Sequence, residues 1–213
     1  MDEPAARESR AVCSQSAKKT CGGIFSLPAY VQGRREDMKI RDAELKDAGR
    51  ILEIYSYYVR KTAISFEYEV PSDEAFRLRM ANIMTDYPYL VIEDEGEIKG
   101  YAYAGRFHER AAYSRCAELS IYVERNARGK GCGRQLYEAL ERRLLEMGVL
   151  NLYACIADPI LEDEYLTCDS EKFHARLGYV KVGEFHRCGY KFGRWYNMIW
   201  MEKMFGAHAE GTE

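Results

Sequence analysis

From Met38 onward the chain switches between two hydrophobic periods, and each switch marks an element. Lys39–Arg41 reads as a short first strand. Over 47–60, Ala48, Ile51, Leu52, Tyr55, Tyr58 and Val59 recur at helical spacing, which predicts a first helix. Pro71-Ser72 opens a second helix, with Ser72 as its N-cap and Phe76, Met80, Ile83 and Met84 on one face. Tyr89–Glu93 and Ile98–Ala104 are strands, and Asp94-Glu95-Gly96-Glu97 between them is a hairpin signal. Cys116–Val123 alternates strictly, with Ala117, Leu119, Ile121 and Val123 on one face and Glu118, Ser120 and Tyr122 on the other. A helix over 133–147 lines up Leu136, Leu140 and Leu144, with Tyr137 and Met147 beside them and Gly148 placed to end it. Leu150–Ala157 is a buried-type strand, followed by a long acidic loop over 158–169 and a short helix over 170–177. Tyr179–Val182 and Tyr196–Lys203 are the last strands, around a turn region at 188–193. The order β-α-α-β-β-β-α-β-α-β-β is that of an α/β chain with a mixed sheet, and no repeat interrupts it.

The first 37 residues show no such period and are expected to form an N-terminal extension outside the domain. Met38 as the natural start and a native disordered tail both fit that composition. The patterned domain is expected over 38–205, with 206–213 as a tail. No apolar run approaches the roughly 18 residues of a membrane helix. No basic segment followed by a continuous apolar one reads as a signal peptide. The net charge of −3, without a basic stripe, argues against a nucleic-acid partner. Seven scattered cysteines without a Cys-x-x-Cys pair read as reduced thiols in the cytoplasm, and four separated histidines offer no metal cluster.

Candidate chemistry concentrates where the alternating strand runs into Arg128-Gly129-Lys130-Gly131-Cys132-Gly133-Arg134. Glycines let successive backbone N–H groups converge on an anion, and the following helix adds its positive end. A nucleoside-triphosphate loop needs Ser or Thr after its Gly-Lys, and a dinucleotide fingerprint needs a third glycine where Leu136 stands. Arg128-x-x-Gly131-x-Gly133 remains, and it resembles the pyrophosphate loop of the GNAT N-acetyltransferase superfamily. The element order is also that of the superfamily.

Within it, 38–205 is similar to the phosphinothricin acetyltransferase group. The matching stretches are Ser65-Phe66-Glu67, Tyr101-Ala102-Tyr103-Ala104, Arg110-Ala111-Ala112-Tyr113, Glu118-Leu119-Ser120-Ile121-Tyr122-Val123, Phe173-His174-Ala175-Arg176-Leu177-Gly178-Tyr179 and Gly189-Tyr190-Lys191-Phe192-Gly193-Arg194-Trp195-Tyr196. The chief departure is the loop 158–169, where Asp169 replaces the group's usual Asn. The resemblance implies a GNAT acyl-CoA N-acyltransferase fold, with acetyl-CoA as co-substrate and a small-molecule primary amine as acceptor. It places pantetheine along Ile121, Tyr122 and Val123 and the pyrophosphate on Arg128 through Arg134, Cys132 included. A homodimer and a peptide N-terminal acceptor are both compatible with it, as is a non-catalytic acetyl-CoA-binding module.

The residues themselves speak to the acceptor's proton. An alkyl amine with a pKa of about 10.4 is neutral in fewer than about one molecule in a thousand at pH 7, so a positioned base is useful. Glu118, five residues before the end of its strand, is the first candidate, and the group carries its proposed catalytic Glu there. His174 is the second: the resemblance implies it, because many superfamily members carry at this place a Tyr that can return a proton to the CoA thiolate, and the phosphinothricin group carries His. Cys132 lacks a neighbouring base and reads as a loop filler. Phe66, Arg110 and Tyr113 are expected on the acceptor side, with Arg110 suited to a carboxylate.

Overall fold

The computed structural model describes residues 38–206 and His208. The expected extension over 1–37 and most of the expected tail lie outside the described residues. The elements are β1 (Lys39–Asp42), α1 (Ala48–Lys61), α2 (Asp73–Asp86), β2 (Tyr89–Asp94), β3 (Glu97–Arg106), β4 (Cys116–Val123), α3 (Cys132–Glu146), β5 (Asn151–Asp158), α4 (Asp169–Arg176), β6 (Val180–Lys191) and β7 (Arg194–Met204). Their order is the one the hydrophobic periods predict. Ser72 caps α2 by accepting from the Ala75 N–H at 3.2 Å.

The last two strands run further than their pattern suggests. Glycines and polar residues over 188–193 read as a turn, yet only Phe192 and Gly193 make it, with φ of 51° and 76°. Two central residues at positive φ form the tight turn whose twist suits a hairpin. Gly189 is strand, and its missing side chain is needed elsewhere: a Cβ there would lie 2.3 Å from the Phe66 ring.

Seven strands form one sheet in the order β1-β2-β3-β4-β5-β7-β6. All neighbours are antiparallel except β4 and β5, which α3 connects. The parallel pair is short. Only Cys116, Ala117 and Glu118 find partners, in Asn151, Leu152 and Tyr153. Beyond Glu118, β4 stays with β3 as far as Val123, while β5 stays with β7 as far as Asp158. A gap therefore opens in the middle of the sheet.

Alternation along the strands divides the core in two. Leu90, Ile92, Ala117 and Leu119 face Leu136, Leu140 and Leu144 of α3. Tyr89, Val91 and Tyr101 face Ile51, Tyr55 and Tyr58 of α1 and Phe76 and Met80 of α2. The long acidic loop is tied down. Asp163 accepts from the N–H groups of Tyr165 and Leu166, pairs with Arg194 and takes the Tyr196 hydroxyl. Leu166 is buried with Ala63 and Tyr196, and the Ala63 N–H donates to Tyr165 C=O at 3.0 Å.

Lys191 fixes the hairpin to α1. It is 2% exposed, and its ammonium donates to the carbonyls of Val59, Thr62 and Ser65 at 2.8, 2.9 and 2.6 Å. Burial pushes its pKa down to about 8, which still leaves it charged at neutral pH. A cation at the end of α1 also meets the negative pole of the helix. Lys191→Met should leave three carbonyls short of a donor and lower unfolding free energy by roughly 2–4 kcal/mol. Denaturant titration measures this, and a loss below about 0.5 kcal/mol would show that the three bonds contribute little.

Candidate active site

The gap between β4 and β5 is lined by Leu119, Ser120, Ile121, Ala154, Cys155 and Ile156, with Tyr137 and His174 from the helices. The peptide groups facing it follow from strand alternation. Glu124 N–H donates to Lys99 C=O at 2.7 Å, so Tyr122 and Ser120 likewise spend their backbone groups on β3. Leu119, Ile121 and Val123 point the other way, toward the gap. Val123 is already engaged, because the Tyr58 hydroxyl accepts from its N–H at 3.1 Å and donates to its C=O. Tyr122, of the expected cofactor set, also lines the gap; its backbone pairs with β3, and its ring packs among Tyr55, Tyr58 and Tyr101.

Glu118 stands where the gap begins. Tyr153 is its partner across the parallel pair, so both side chains share one sheet face. Phe107 stacks on Tyr153 at 4.2 Å and meets Trp200 edge-on. His108 and Tyr113 extend this aromatic wall, their rings 4.9 Å apart. Burial pushes the Glu118 carboxyl above its ordinary range, against a smaller opposing pull from His108. Among the described residues no hydrogen bond or salt bridge engages that carboxylate.

His174 lies on the opposite face. It is 3% exposed, and both ring nitrogens are used, Nδ1 with Ser170 C=O at 2.7 Å and Nε2 with the Tyr137 hydroxyl at 2.8 Å. A carbonyl only accepts, so the proton is on Nδ1 and Nε2 accepts from Tyr137. Burial lowers the His174 pKa to about 4, so the ring is neutral at pH 7. A neutral ring with its one proton on Ser170 C=O orients the Tyr137 hydroxyl through Nε2.

At the far end of the gap, Gly129 and Gly131 have φ of 77° and 92°. Gly131 is the N-cap of α3, and the first bond of the helix runs from Gln135 N–H to Gly131 C=O. The N–H groups of Cys132, Gly133 and Arg134 are thereby left without a helical partner. Lys130 and Arg134 are exposed beside them, and Arg128 lies over the Tyr58 ring, 5.2 Å from its centroid. Gly133 serves packing: a Cβ there would come within 3.1 Å of Phe173. Cys132 is buried, with its thiol pKa raised by burial.

The acetyltransferase (GNAT) domain family matches residues 40–200. The chain belongs to the GNAT acetyltransferase family. It resembles the phosphinothricin N-acetyltransferase of Alcaligenes faecalis, at 34% identity over 79% of this chain and 81% of that protein. An L-methionine sulfoximine/L-methionine sulfone acetyltransferase of Pseudomonas paraeruginosa is 36% identical over 76% of this chain and 92% of its own. A crystal structure of a GNAT phosphinothricin acetyltransferase from Sinorhizobium meliloti, in complex with acetyl-CoA, superposes with a TM-score of 0.75. It is 34% identical and covers 83% of this chain and 94% of its own.

The expected acceptor residues of this GNAT enzyme fall in different places. Tyr113 joins the aromatic wall near Glu118. Phe66 lies further along, against Gly189, Tyr196 and Ala157. Arg110 is exposed at the start of a single turn, Ala111–Tyr113, with no ion pair among the described residues. Tyr58 and Tyr137 enter the site without having been singled out. Each sits on an apolar helical stripe, which conceals the use of its hydroxyl.

His174 makes stability depend on pH. Its folded pKa is about 4 against an unfolded value near 6.5, so the unfolded chain binds more protons between those values. Its contribution is complete above pH 6.5 and is lost as pH falls toward 4. The stability difference between wild type and His174→Phe should therefore narrow over that range, measured by urea unfolding at each pH. A difference that stays constant would contradict a buried neutral ring.

Proposed function

We propose that this GNAT enzyme transfers the acetyl group of acetyl-CoA to the primary amine of a small amino acid or amino-acid analogue, by direct attack in a ternary complex. The observation that carries the reading is Glu118, a half-buried carboxylate at the mouth of the gap with no hydrogen-bond or salt-bridge partner among the described residues. The open strand edge and the positive-φ glycine turn suit acetyl-CoA, with an extended amide-bearing arm in the one and a pyrophosphate on the other. When bound, acetyl-CoA supplies an acyl carbon already joined to a good leaving group.

The peptide groups of Leu119 and Ile121 orient the arm. The free N–H groups at the start of α3, with Lys130 and Arg134, neutralise the phosphates. Glu118 accepts the proton of the attacking amine, and its raised pKa brings it nearer to the amine's own. Tyr137, oriented by His174, presents its hydroxyl oxygen from the opposite sheet face. A thiolate of ordinary pKa near 8.5 leaves without a strong acid. Direct attack is favoured over an acyl-enzyme because Cys155, which lines the gap, has its thiol pKa pushed up to about 12. The acidic loop, tied to Ala63 through Tyr165, packs in one cluster with Phe66, an expected acceptor residue, and a wall there would suit a small acceptor better than a polypeptide. Phosphinothricin and methionine sulfoximine, named for the relatives, are the first acceptors to assay.

Glu118→Gln keeps the shape and removes the base. kcat/KM should fall roughly a hundredfold or more near pH 7 with acetyl-CoA binding intact. The loss should shrink as pH rises toward 10, and it should be smaller for acceptors of lower amine pKa. Wild-type activity should fall at low pH, as Glu118 gains its proton, above the range of an ordinary carboxylate. A mutant-to-wild-type ratio that stays flat with pH and acceptor would assign the base elsewhere.

A further inference from the structure

Among the described residues, one buried side-chain oxygen finds no partner: Oε2 of Glu67. Its Oε1 pairs with the Arg79 guanidinium of α2 at 2.8 Å, and the Glu67 and Arg79 side chains are 35% and 42% exposed. The neighbouring donors are engaged. The Tyr55 hydroxyl is bonded to Ser65 Oγ at 2.9 Å, and the Glu67 N–H donates to the same Oγ at 3.2 Å. The Lys191 ammonium is held by its three carbonyls. A carboxylate oxygen kept from water without a donor is costly, so this one suits a donor that arrives with a ligand.

The ion pair lies on the Glu118 side of the sheet, and Tyr103 connects the two. Tyr103 stands opposite Ser120, on the face that carries Glu118, and stacks on Tyr89 at 4.9 Å. Arg79, Tyr89 and Tyr103 line one small cavity. Burial pushes the Tyr103 hydroxyl pKa up, Ser120 draws it down, and the charges of Arg79, Glu118 and Glu67 all reach it. The charge that acts on Glu118 itself is that of His108, so Arg79 and Glu67 stand beyond Tyr103 from it. Beside Glu118 the surface is open. Gly105 is its partner on β3, and a Cβ there would meet nothing within 4 Å. An acceptor with its amine at Glu118 can therefore extend over Tyr103 toward the ion pair.

We propose that the Arg79–Glu67 pair reads the far end of the acceptor's side chain and selects a neutral group offering both an oxygen and an N–H, such as a carboxamide or a sulfoximine. The proposal rests on the reading of Glu118 as the base for an amino-acid acceptor. Arg79 has N–H groups beyond the one on Glu67 and donates to the oxygen. The partly exposed Glu67 side chain turns Oε2 to accept the N–H. The pair is neutral overall, and its carboxylate repels an anionic end such as a phosphinate. A sulfone offers oxygens without a donor and leaves Oε2 unpaired.

Steady-state kinetics with L-methionine sulfoximine, L-methionine sulfone and phosphinothricin test this, because the three differ at the side-chain end in a donor or a charge. Wild-type kcat/KM should favour the sulfoximine over the sulfone by roughly tenfold or more, and over phosphinothricin in the same direction. Glu67→Gln should abolish the preference over the sulfone. It should also raise kcat/KM for phosphinothricin by roughly three- to tenfold, since Arg79 then meets the anion without a competing carboxylate. A loosened fold would not produce that gain. Arg79→Gln should lower kcat/KM for the sulfoximine and the sulfone alike, because both lose the donor to their oxygen. Equal wild-type constants for sulfoximine and sulfone overturn the proposal. So does a Glu67→Gln variant that lowers all three acceptors by one factor. A wild-type protein that acetylates none of the three refutes instead the amino-acid reading on which the proposal rests.

Discussion

Three residue pairs of parallel sheet hold β4 to β5, and the site depends on the pairing stopping there. The two strands part because each has a better partner on its outer side. β3 follows β4 to its last residue, and β7 follows β5 to its end. Parallel pairing is slightly weaker per residue than antiparallel, so the sheet yields at this seam. The result is an exposed row of peptide groups inside a folded core, which is where an extended amide-bearing molecule can bind. An ordinary sheet edge would invite another chain. This one is walled by α3 and α4 on one side and by α1 on the other.

The seam also sorts the chemistry. Successive residues of β4 point to opposite faces, so Glu118 and the aromatic wall of Phe107, Tyr113 and Tyr153 share one side. Tyr137 and His174 occupy the other, between α3 and α4. On the proposed reading, a thioester carbon held in the gap would meet the Glu118 carboxylate from one face and the Tyr137 hydroxyl from the other. Burial acts on the two groups differently. It raises the pKa of Glu118, which strengthens it as a base, and it lowers that of His174, which leaves the ring neutral.

The regular elements were legible in the sequence because their apolar periods are long and clean. Strict alternation over Cys116–Val123 and the glycines after it located the strand and its turn. The seam itself was not legible, because it follows from competition among four strands spread from Glu97 to Met204. Tyr58 and Tyr137 were hidden for a local reason: a tyrosine on an apolar stripe satisfies the period whatever its hydroxyl does. His174 was found by its position in a motif, but its two partners, Ser170 and Tyr137, were not legible there. The acidic loop read only as a departure from the group's pattern; its anchoring, with Arg194 paired to Asp163 and Glu164 and Leu166 buried, was not legible. The 188–193 stretch misled because its glycines read as a turn, whereas Gly189 is there to admit the Phe66 ring.

The central claim is that the inner edge of β4 is a binding surface used in alternate residues. Residue-resolved amide exchange, with and without saturating acetyl-CoA, tests it most directly. Leu119 and Ile121 should gain protection on binding, while Ser120 and Tyr122, already bonded to β3, should change little. If Leu119 and Ile121 exchange at the same rate in both states, while acetyl-CoA is shown to be bound, the ligand lies elsewhere and the account of the seam is wrong.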